Sequence, residues 1–265
     1  MSKNKVSSKE VEDAFFLLNH LSPRVKSLDL PHTRGWSSPL PDAMMNRVGM
    51  LGGRAEDVFA QAQQFFQERK QGFTWVMDSH CKLPRASSWM ARRSMGHTCT
   101  IKGMYLDDLK KSATVPDSIL LEEIPRKEAL KLEDTTARLF GLSRKMARII
   151  FLDSFTPLEK GLCSRVYGAR QSPRGEIIAF AQMLYLKDSP YVLLRVAAVD
   201  ARFRGRGIYK ALLARRLRDA IADGKIGAII HAVEGTTSSV CSRFGFEEVC
   251  QMELFHSIGY GKTHK

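Results

Sequence analysis

A short basic turn, residues 202–207 (RFRGRG), carries the clearest chemical signal in the sequence. Gly205 and Gly207 lack a Cβ atom, so an anion can come close to the backbone there. The first N–H groups of the helix predicted to follow have no partner within that helix, and its dipole is positive at that end. Arg204 and Arg206 add positive charge. The turn predicts a site for a diphosphate; a plain basic turn before a helix is the alternative.

The neighbouring segments place this turn between a strand and a helix. Residues 191–199 form an apolar run with small alanines near its end, and residues 205–223 have a helical pattern closed by Gly224. The glycine spacing matches neither a GxxxxGK[ST] phosphate loop nor a dinucleotide-binding GxGxxG turn. The other elements predicted in this part of the chain are strands at 119–124, 164–169, 176–186, 226–233 and 246–257, a helical stretch at 126–155 with a break near Gly141, and a short helix at 236–243.

The segment VAAVDARFRGRGIYKALLARRL, residues 196–217, closely resembles motif A of the GNAT superfamily of N-acetyltransferases. That family's signature is Arg or Gln, two residues, Gly, one residue, then Gly or Ala, and Arg202, Gly205 and Gly207 meet it. About 40 residues later, the pair at 245–246 (GF) is similar to the family's closing element. The resemblance covers residues 118–258 and implies an α/β (α+β) fold, with a mixed, mainly antiparallel central sheet flanked by helices.

The resemblance also implies a cofactor, acetyl-CoA, and the way it binds. The strand at 191–199 would splay from the strand at 226–233, and pantetheine would lie in the gap against free backbone groups. The pyrophosphate would sit on the amides that follow. The residues that the resemblance assigns to the cofactor are Ala198, Val199, Arg204, Gly205, Arg206, Gly207, Ile208 and Tyr209.

The residues expected to move protons are where the sequence departs from the family. Cys241 stands where many GNAT enzymes have a tyrosine that protonates the departing sulfur, and Arg195 stands where several have a carboxylate. A thiol could act as the acid, although a small buried cysteine is the alternative. The candidate bases are Glu234, expected to open toward the gap, and then His231, which alternation places on the opposite face as a structural residue.

Residues 1–115 resemble, less specifically, the degenerate N-terminal half of tandem GNAT proteins. The resemblance rests on an N-x-V strand with Asn46 and Val48 and an F-x-W strand with Phe73 and Trp75. This half lacks the glycine turn, so its expected role is to wall the acceptor cleft; an unrelated α/β cap is the alternative. The sequence thus predicts two parts, 1–115 and 118–258, followed by a flexible basic tail at 259–265.

Composition limits the remaining function classes. The 265 residues carry a net charge of +13, which attracts anions. Neither a membrane-spanning run nor a secretory signal is recognisable, and five scattered cysteines favour a reducing, cytoplasmic location without structural zinc or another metal. The leading interpretation is an acetyl-CoA-dependent N-acetyltransferase acting on a primary amine of a small molecule or peptide. A catalytically silent acyl-CoA-binding regulatory module, or a nucleic-acid-associated acetyltransferase, are the alternatives.

Overall fold

The computed structural model describes residues 6–81, 83–111, 113–155 and 162–259. Eleven strands and nine α-helices are present in these ranges. The strands are β1 Lys26–Ser27, β2 Thr33–Ser37, β3 Arg47–Met50, β4 Thr74–Met77, β5 Met95–Leu106, β6 Leu120–Glu123, β7 Cys163–Arg170, β8 Ala179–Tyr185, β9 Tyr191–Val199, β10 Gly227–Val233 and β11 Glu247–Ser257. The helices are α1 Ser8–Asp13, α2 Leu18–Leu21, α3 Ala55–Glu68, α4 Ala86–Ala91, α5 Arg126–Ala129, α6 Glu133–Phe140, α7 Arg144–Ala147, α8 Ile208–Ala222 and α9 Thr237–Phe244.

The strands form one continuous sheet in the order β1-β2-β3-β4-β11-β5-β10-β9-β8-β7-β6. Strand β3 pairs with β4, and β9 with β10, in parallel. The other neighbouring strands within the described residues pair antiparallel. The predicted mixed, mainly antiparallel sheet with flanking helices is therefore confirmed.

Two strands connect the first part of the chain to the second. Strand β5 precedes residue 115 but pairs with β10 and β11, and β11 in turn inserts between β4 and β5. The predicted parts 1–115 and 118–258 consequently share one sheet, and their independence as domains stays a prediction. The predicted tail beyond residue 259 lies outside the described residues.

The helical stretch predicted at 126–155 is divided into α5, α6 and α7, followed by a π-helical turn at Arg148–Leu152 and a 3₁₀ turn at Asp153–Phe155. Gly141 ends α6 with a φ of +65°, which is a left-handed conformation that glycine adopts without steric cost. The predicted break near Gly141 is therefore present. After this break, Ile150 of the π-helical turn lies beside β9, and its carbonyl accepts a hydrogen bond from Arg195.

Different elements cover the two faces of the sheet around β9 and β10. Leu194 and Ile230 face α8 and share a core with Leu213 and Leu217 of that helix. The preceding residue of each strand, Leu193 and Ile229, points the other way and packs with residues of the N-terminal segment 14–21. The N-terminal segment therefore covers the face of the sheet opposite α8.

Candidate functional site

Strands β9 and β10 separate in the middle of the sheet. Their parallel pairing runs from Tyr191 opposite Gly227 to Leu194 opposite Ile230 and ends there. On the other side of β9, Gln182 pairs with Arg195 and Ala181 with Ala197, so Val196 is an extra, bulged residue. The φ of Val196 is +31°, an outlier for a β-branched side chain and a sign of local strain. The bulge lies directly past the last paired residue of β9, at the place where the family resemblance implied a gap between β9 and β10.

The glycine turn lies at the end of the separated part of β9. A 3₁₀ turn, Ala201–Phe203, leads into Gly205 and Gly207, which have φ values of +75° and +80°. A Cβ atom built on either glycine would meet nothing within 4 Å, so the space in front of the turn is open. No side chain caps the start of α8, which leaves its first backbone N–H groups available to an anion.

The three arginines of the turn differ in their surroundings. Arg202 forms a two-point ion pair with Asp200, with N···O distances of 3.0 and 2.9 Å. Asp200 also accepts from Arg138 and from the Arg202 backbone, and these bonds hold the pKa of its carboxyl well below the usual range. Arg202 thus stabilises the turn. Arg204, whose Nε donates to the Val199 carbonyl at 3.1 Å, and Arg206 are exposed and stand beside the open space.

Cys241 is sealed inside the protein. Its side chain is fully buried in the core between α8, α9 and the sheet, and burial raises the pKa of its thiol. The Tyr209 hydroxyl, from the first turn of α8, lies 3.9 Å from the Cys241 sulfur. Tyr209 is only partly buried, and desolvation raises the pKa of its phenol. The structure therefore brings a tyrosine hydroxyl to Cys241 from a different helix.

Tyr209 was predicted only as a cofactor-binding residue, and sequence reasoning did not anticipate the contact of its hydroxyl with Cys241. The signal that could have found it was the position of a tyrosine in the first helical turn after Gly207, in a chain whose α9 contains no tyrosine. A contact between side chains of two different helices, such as that of Tyr209 with Cys241, produces no periodic pattern in the sequence that would predict it.

The two candidate bases lie in different surroundings. Glu234 is exposed and forms an ion pair with Lys102 of β5, at 3.3 Å. Lys102 also pairs with Glu248 at 2.9 Å. His231 is partly buried, and its Nε2 lies 2.7 Å from the Val11 carbonyl, with the Phe15 ring 5.0 Å away between centroids. The structure thus places His231, rather than Glu234, beside the point where β9 and β10 separate.

The environment of His231 keeps its imidazole neutral. Burial, together with the nearby charges of Arg47 and Arg195, lowers its pKa to about 4, although the bond to Val11 acts in the opposite direction. Because a carbonyl can only accept, Nε2 carries the proton in this bond, and Nδ1 is left with the lone pair. A neutral imidazole with a fixed tautomer can accept a proton.

A cavity of about 260 Å³ lies at this same point, between β9, β10 and the N-terminal segment. Its polar side chains come from Arg47, Arg195 and His231, and Trp36 and Phe15 contribute aromatic surface. Sequence reasoning noted Arg195 only as a missing carboxylate and did not find Arg47. The other residues that line the cavity are apolar: Ala14, Leu17, Leu18, Leu21, Met44, Ile150, Leu193, Leu194 and Val196.

Within ranges 6–81, 83–111, 113–155 and 162–259, no three His, Cys, Asp or Glu side chains are grouped as metal ligands would be. In the same ranges, no helix combines the length and the apolar character that crossing a bilayer requires.

Comparison with known proteins shows the fold. No protein-family model and no curated protein sequence matches this chain. Solved structures do match, among them a GCN5-related N-acetyltransferase from Kribbella flavida, with a TM-score of 0.65 and 10% identity over 94% of this chain and 95% of that one. A tandem GNAT protein from the clavulanic acid biosynthesis pathway matches with a TM-score of 0.62 and 13% identity over 95% of this chain and 88% of its own.

A third neighbour is a GCN5-related N-acetyltransferase-like protein from Streptococcus suis. It has a TM-score of 0.55 and 12% identity, over 97% of this chain and all of the other. At such low identity the agreement concerns the fold, and it extends over both parts of the chain. The protein therefore has the fold of the GNAT acetyltransferases over almost its whole length.

Proposed function

We propose that this protein is an acetyl-CoA-dependent N-acetyltransferase that acetylates a primary amine by direct attack within a ternary complex. The observation that carries the proposal is the gap between β9 and β10, which leads directly into an uncapped helix start with two left-handed glycines. The fold shared with proteins named N-acetyltransferases supports it. The five cysteines are all free thiols, which supports a cytoplasmic location as part of the same proposal.

The residues around the gap fit acetyl-CoA. Past Leu194, the edge of β9 that faces β10 has no strand partner, so backbone groups near Ala198 and Val199 would bind the pantetheine arm. The Val199 carbonyl would exchange the bond that it accepts from Arg204. The turn at 204–207 and the first amides of α8, at Ile208 and Tyr209, would hold the pyrophosphate. The exposed Arg204 and Arg206 would add charge-assisted bonds.

Each chemical step then has a candidate group. Acetyl-CoA supplies the acetyl group as a thioester. His231 would accept the proton that the attacking amine loses, because its imidazole is neutral and lines the cavity. A backbone N–H near Ala198 or Val199 would stabilise the charge that develops on the carbonyl oxygen. Tyr209 would return a proton to the departing sulfur as the C–S bond breaks.

The arginines at positions 202, 204, 206, 215, 216 and 218, in the glycine turn and in α8, support a small acceptor over a nucleic acid. Arg216 is fully buried, with its guanidinium bonded to the carbonyls of Leu212 and Gln182. Arg215 is paired with Asp219, and Arg202 with Asp200. Arg204 donates to the Val199 carbonyl. Four of the six arginines between positions 202 and 218 therefore have hydrogen-bond or ion-pair partners within the protein.

The first test is binding. Acetyl-CoA at about 100 times its Kd should stabilise the protein by roughly 2.7 kcal/mol, which corresponds to a rise in Tm of about 5–10 °C for a chain of this size. Differential scanning fluorimetry with acetyl-CoA, and with desulfo-CoA as a comparison, measures it. No shift at millimolar acetyl-CoA would refute the proposal. A shift without release of CoA thiol from any amine would instead identify the silent acyl-CoA-binding module.

The second test separates the two candidate proton donors. Tyr209→Phe should lower kcat by about 100-fold, in the range usual for a lost general acid, without changing the Kd for acetyl-CoA. Cys241→Ala removes a sulfur that is fully buried and that contacts the proposed acid without replacing it, so kcat should change less than about twofold, with a stability loss of roughly 1 kcal/mol. Steady-state release of CoA thiol measures both variants. A large loss in Cys241→Ala with full activity in Tyr209→Phe would return the role to the cysteine.

A further inference from the structure

The cavity at the separation of β9 and β10 carries two cationic side chains, Arg47 and Arg195, and no acidic side chain of the described residues lines it. Arg195 reaches it from β9 and Arg47 from β3, across the sheet. Its remaining surface is almost entirely apolar. A positive charge in an apolar cavity without a counter-ion is costly, because the desolvation of the guanidinium is not compensated.

Neither guanidinium has all of its hydrogen bonds. Arg195 donates one bond, from Nη2 to the Ile150 carbonyl at 3.0 Å, while its Nη1 is buried and has no partner. Arg47 donates from Nη1 to the Phe15 carbonyl at 3.1 Å, while its Nε is buried and has no partner. Buried donors of this kind normally have partners. Unpaired donors on two cations at one cavity are what an anionic ligand would satisfy.

Aromatic rings hold one of the cations in place. The Arg47 guanidinium carbon lies 4.0 Å from the centroid of the Phe15 ring and 4.6 Å from that of the Trp36 ring. These contacts fix the position of the charge without neutralising it. Burial, together with the charge of Arg195, lowers the pKa of Arg47 to about 9, and burial lowers the pKa of Arg195 to about 10, so both groups remain charged at neutral pH.

We propose that the acceptor is a small amino acid with an apolar side chain, whose carboxylate binds to Arg195 and Arg47 while its amine faces His231. This inference rests on the proposed acetyltransferase function and names its substrate class. A planar carboxylate matches the paired N–H donors of a guanidinium. The leucine, methionine and aromatic side chains around the arginines give the apolar side chain its surroundings.

The size of the cavity agrees with such a ligand. About 260 Å³ lies just below the range of roughly 300–1,000 Å³ that is usual for small-molecule pockets, so a single amino acid fits better than a peptide or nucleotide. The carboxylate would also act on the base. Because the charges of Arg47 and Arg195 contribute to the low pKa of His231, an anion bound to them raises that pKa and makes the imidazole a better proton acceptor.

Matched acceptors test the proposal on the unmodified protein. Alanine, valine, leucine and phenylalanine, in both enantiomers, are compared with their primary amides through kcat/KM for release of CoA thiol. We expect at least one acid to exceed its amide by about 100-fold or more, because a site built for a polar group rejects analogues that lack it. The amine of the amide is less basic, so a larger fraction of it is unprotonated at neutral pH. Without a carboxylate site, the amide would therefore be expected to react faster than the acid. Equal rates, or a preference for the amides, would overturn the proposal.

Variants of the two arginines link the preference to this cavity. Arg195→Met and Arg47→Met should each reduce the acid-to-amide ratio of kcat/KM to within about tenfold of unity, mainly by raising KM for the acid. Arg195→Lys should keep part of the preference because it keeps the charge. Arg54→Met is the matched control, since Arg54 is 79% exposed at the start of α3 and should leave the ratio unchanged. A full preference in both cavity variants would place the carboxylate elsewhere and refute the assignment.

Direct binding distinguishes this inference from the proposed function. Isothermal titration of leucine into the protein without acetyl-CoA should show binding that Arg195→Met weakens by about 100-fold. Binding without acetyl transfer to any amine would leave the carboxylate site standing and refute the acetyltransferase. Acetyl transfer to neutral amines without binding of any of the four amino acids would support the acetyltransferase and refute the carboxylate site.

Discussion

Replacing Gly205 and Gly207 together by aspartate is expected to weaken acetyl-CoA binding by about 1,000-fold or more, which corresponds to roughly 4 kcal/mol. Both glycines have left-handed φ values, which an L-residue adopts at a cost of about 1–2 kcal/mol. The open space in front of them would then hold two carboxylates where a pyrophosphate should bind. The Tm shift with acetyl-CoA measures the loss.

Gly224 provides a matched control for this double variant. It lies just past the other end of α8, with a φ of +74° and no atom within 4 Å of a built Cβ. Gly224→Asp therefore introduces similar backbone strain and an added carboxylate, without touching the turn. We expect it to lower Tm slightly and to keep the full shift with acetyl-CoA. An equal loss of the shift in Gly224→Asp would mean that backbone strain, and not anion binding, explains the effect.

The glycine turn could be predicted because its chemistry is contiguous. Two glycines, the arginines and the helix start lie within a few residues, and local physics sets their positions relative to one another. The separation of β9 from β10 was expected only through the family resemblance. The bulged Val196 next to it has no signature that distinguishes it from any other valine in an apolar strand.

The cavity could not be predicted because its residues are distant in sequence. Arg47 and Arg195 are 148 positions apart in the chain, and the sheet brings them together because β5 and β11 join the two parts. Their partner His231 was assigned to the face opposite the gap on strand alternation alone. Alternation gives the face of the sheet but not what covers it, and here the N-terminal segment at 14–21 builds a cavity over that face.

Glu234 illustrates the opposite limit. Its position at the end of β10 suggested an opening toward the gap, yet Lys102 and Glu248 of the adjacent strands form an ion-pair group with it. Such pairs depend on which strands lie next to each other, and β5 and β11 are neighbours because β11 inserts between β4 and β5. This insertion pairs segments that are about 150 residues apart, and no local sequence pattern indicates it.

Replacing His231 by glutamine is expected to lower kcat by about 100-fold, as the loss of a general base does. The glutamine amide can still donate to the Val11 carbonyl, which His231 contacts through Nε2 at 2.7 Å. The variant should therefore keep the cavity wall and the full Tm shift with acetyl-CoA. Turnover with the best acceptor of the amine panel, measured as thiol release at saturating substrates, gives the loss.

The same variant has a second, independent signature in the pH dependence of stability. His231 has a pKa of about 4 in the folded protein and about 6.5 when unfolded, so the unfolded chain binds its proton first as pH falls. The folded state therefore loses stability between pH 6.5 and pH 4, by on the order of 2–3 kcal/mol at 1.36 kcal/mol for each pKa unit. His231→Gln should remove this part of the slope in urea unfolding at pH 7 and pH 4.5.

The two measurements together decide what His231 does. The wild-type slope also contains a contribution from His256, whose pKa burial lowers in the same direction, so the difference between wild type and variant isolates His231. A lost slope with unchanged kcat would show a buried structural histidine that supports Val11 and takes no part in proton transfer. A lost slope with a large fall in kcat at unchanged acetyl-CoA affinity would place the base at the cavity, beside the arginines that we propose hold the acceptor.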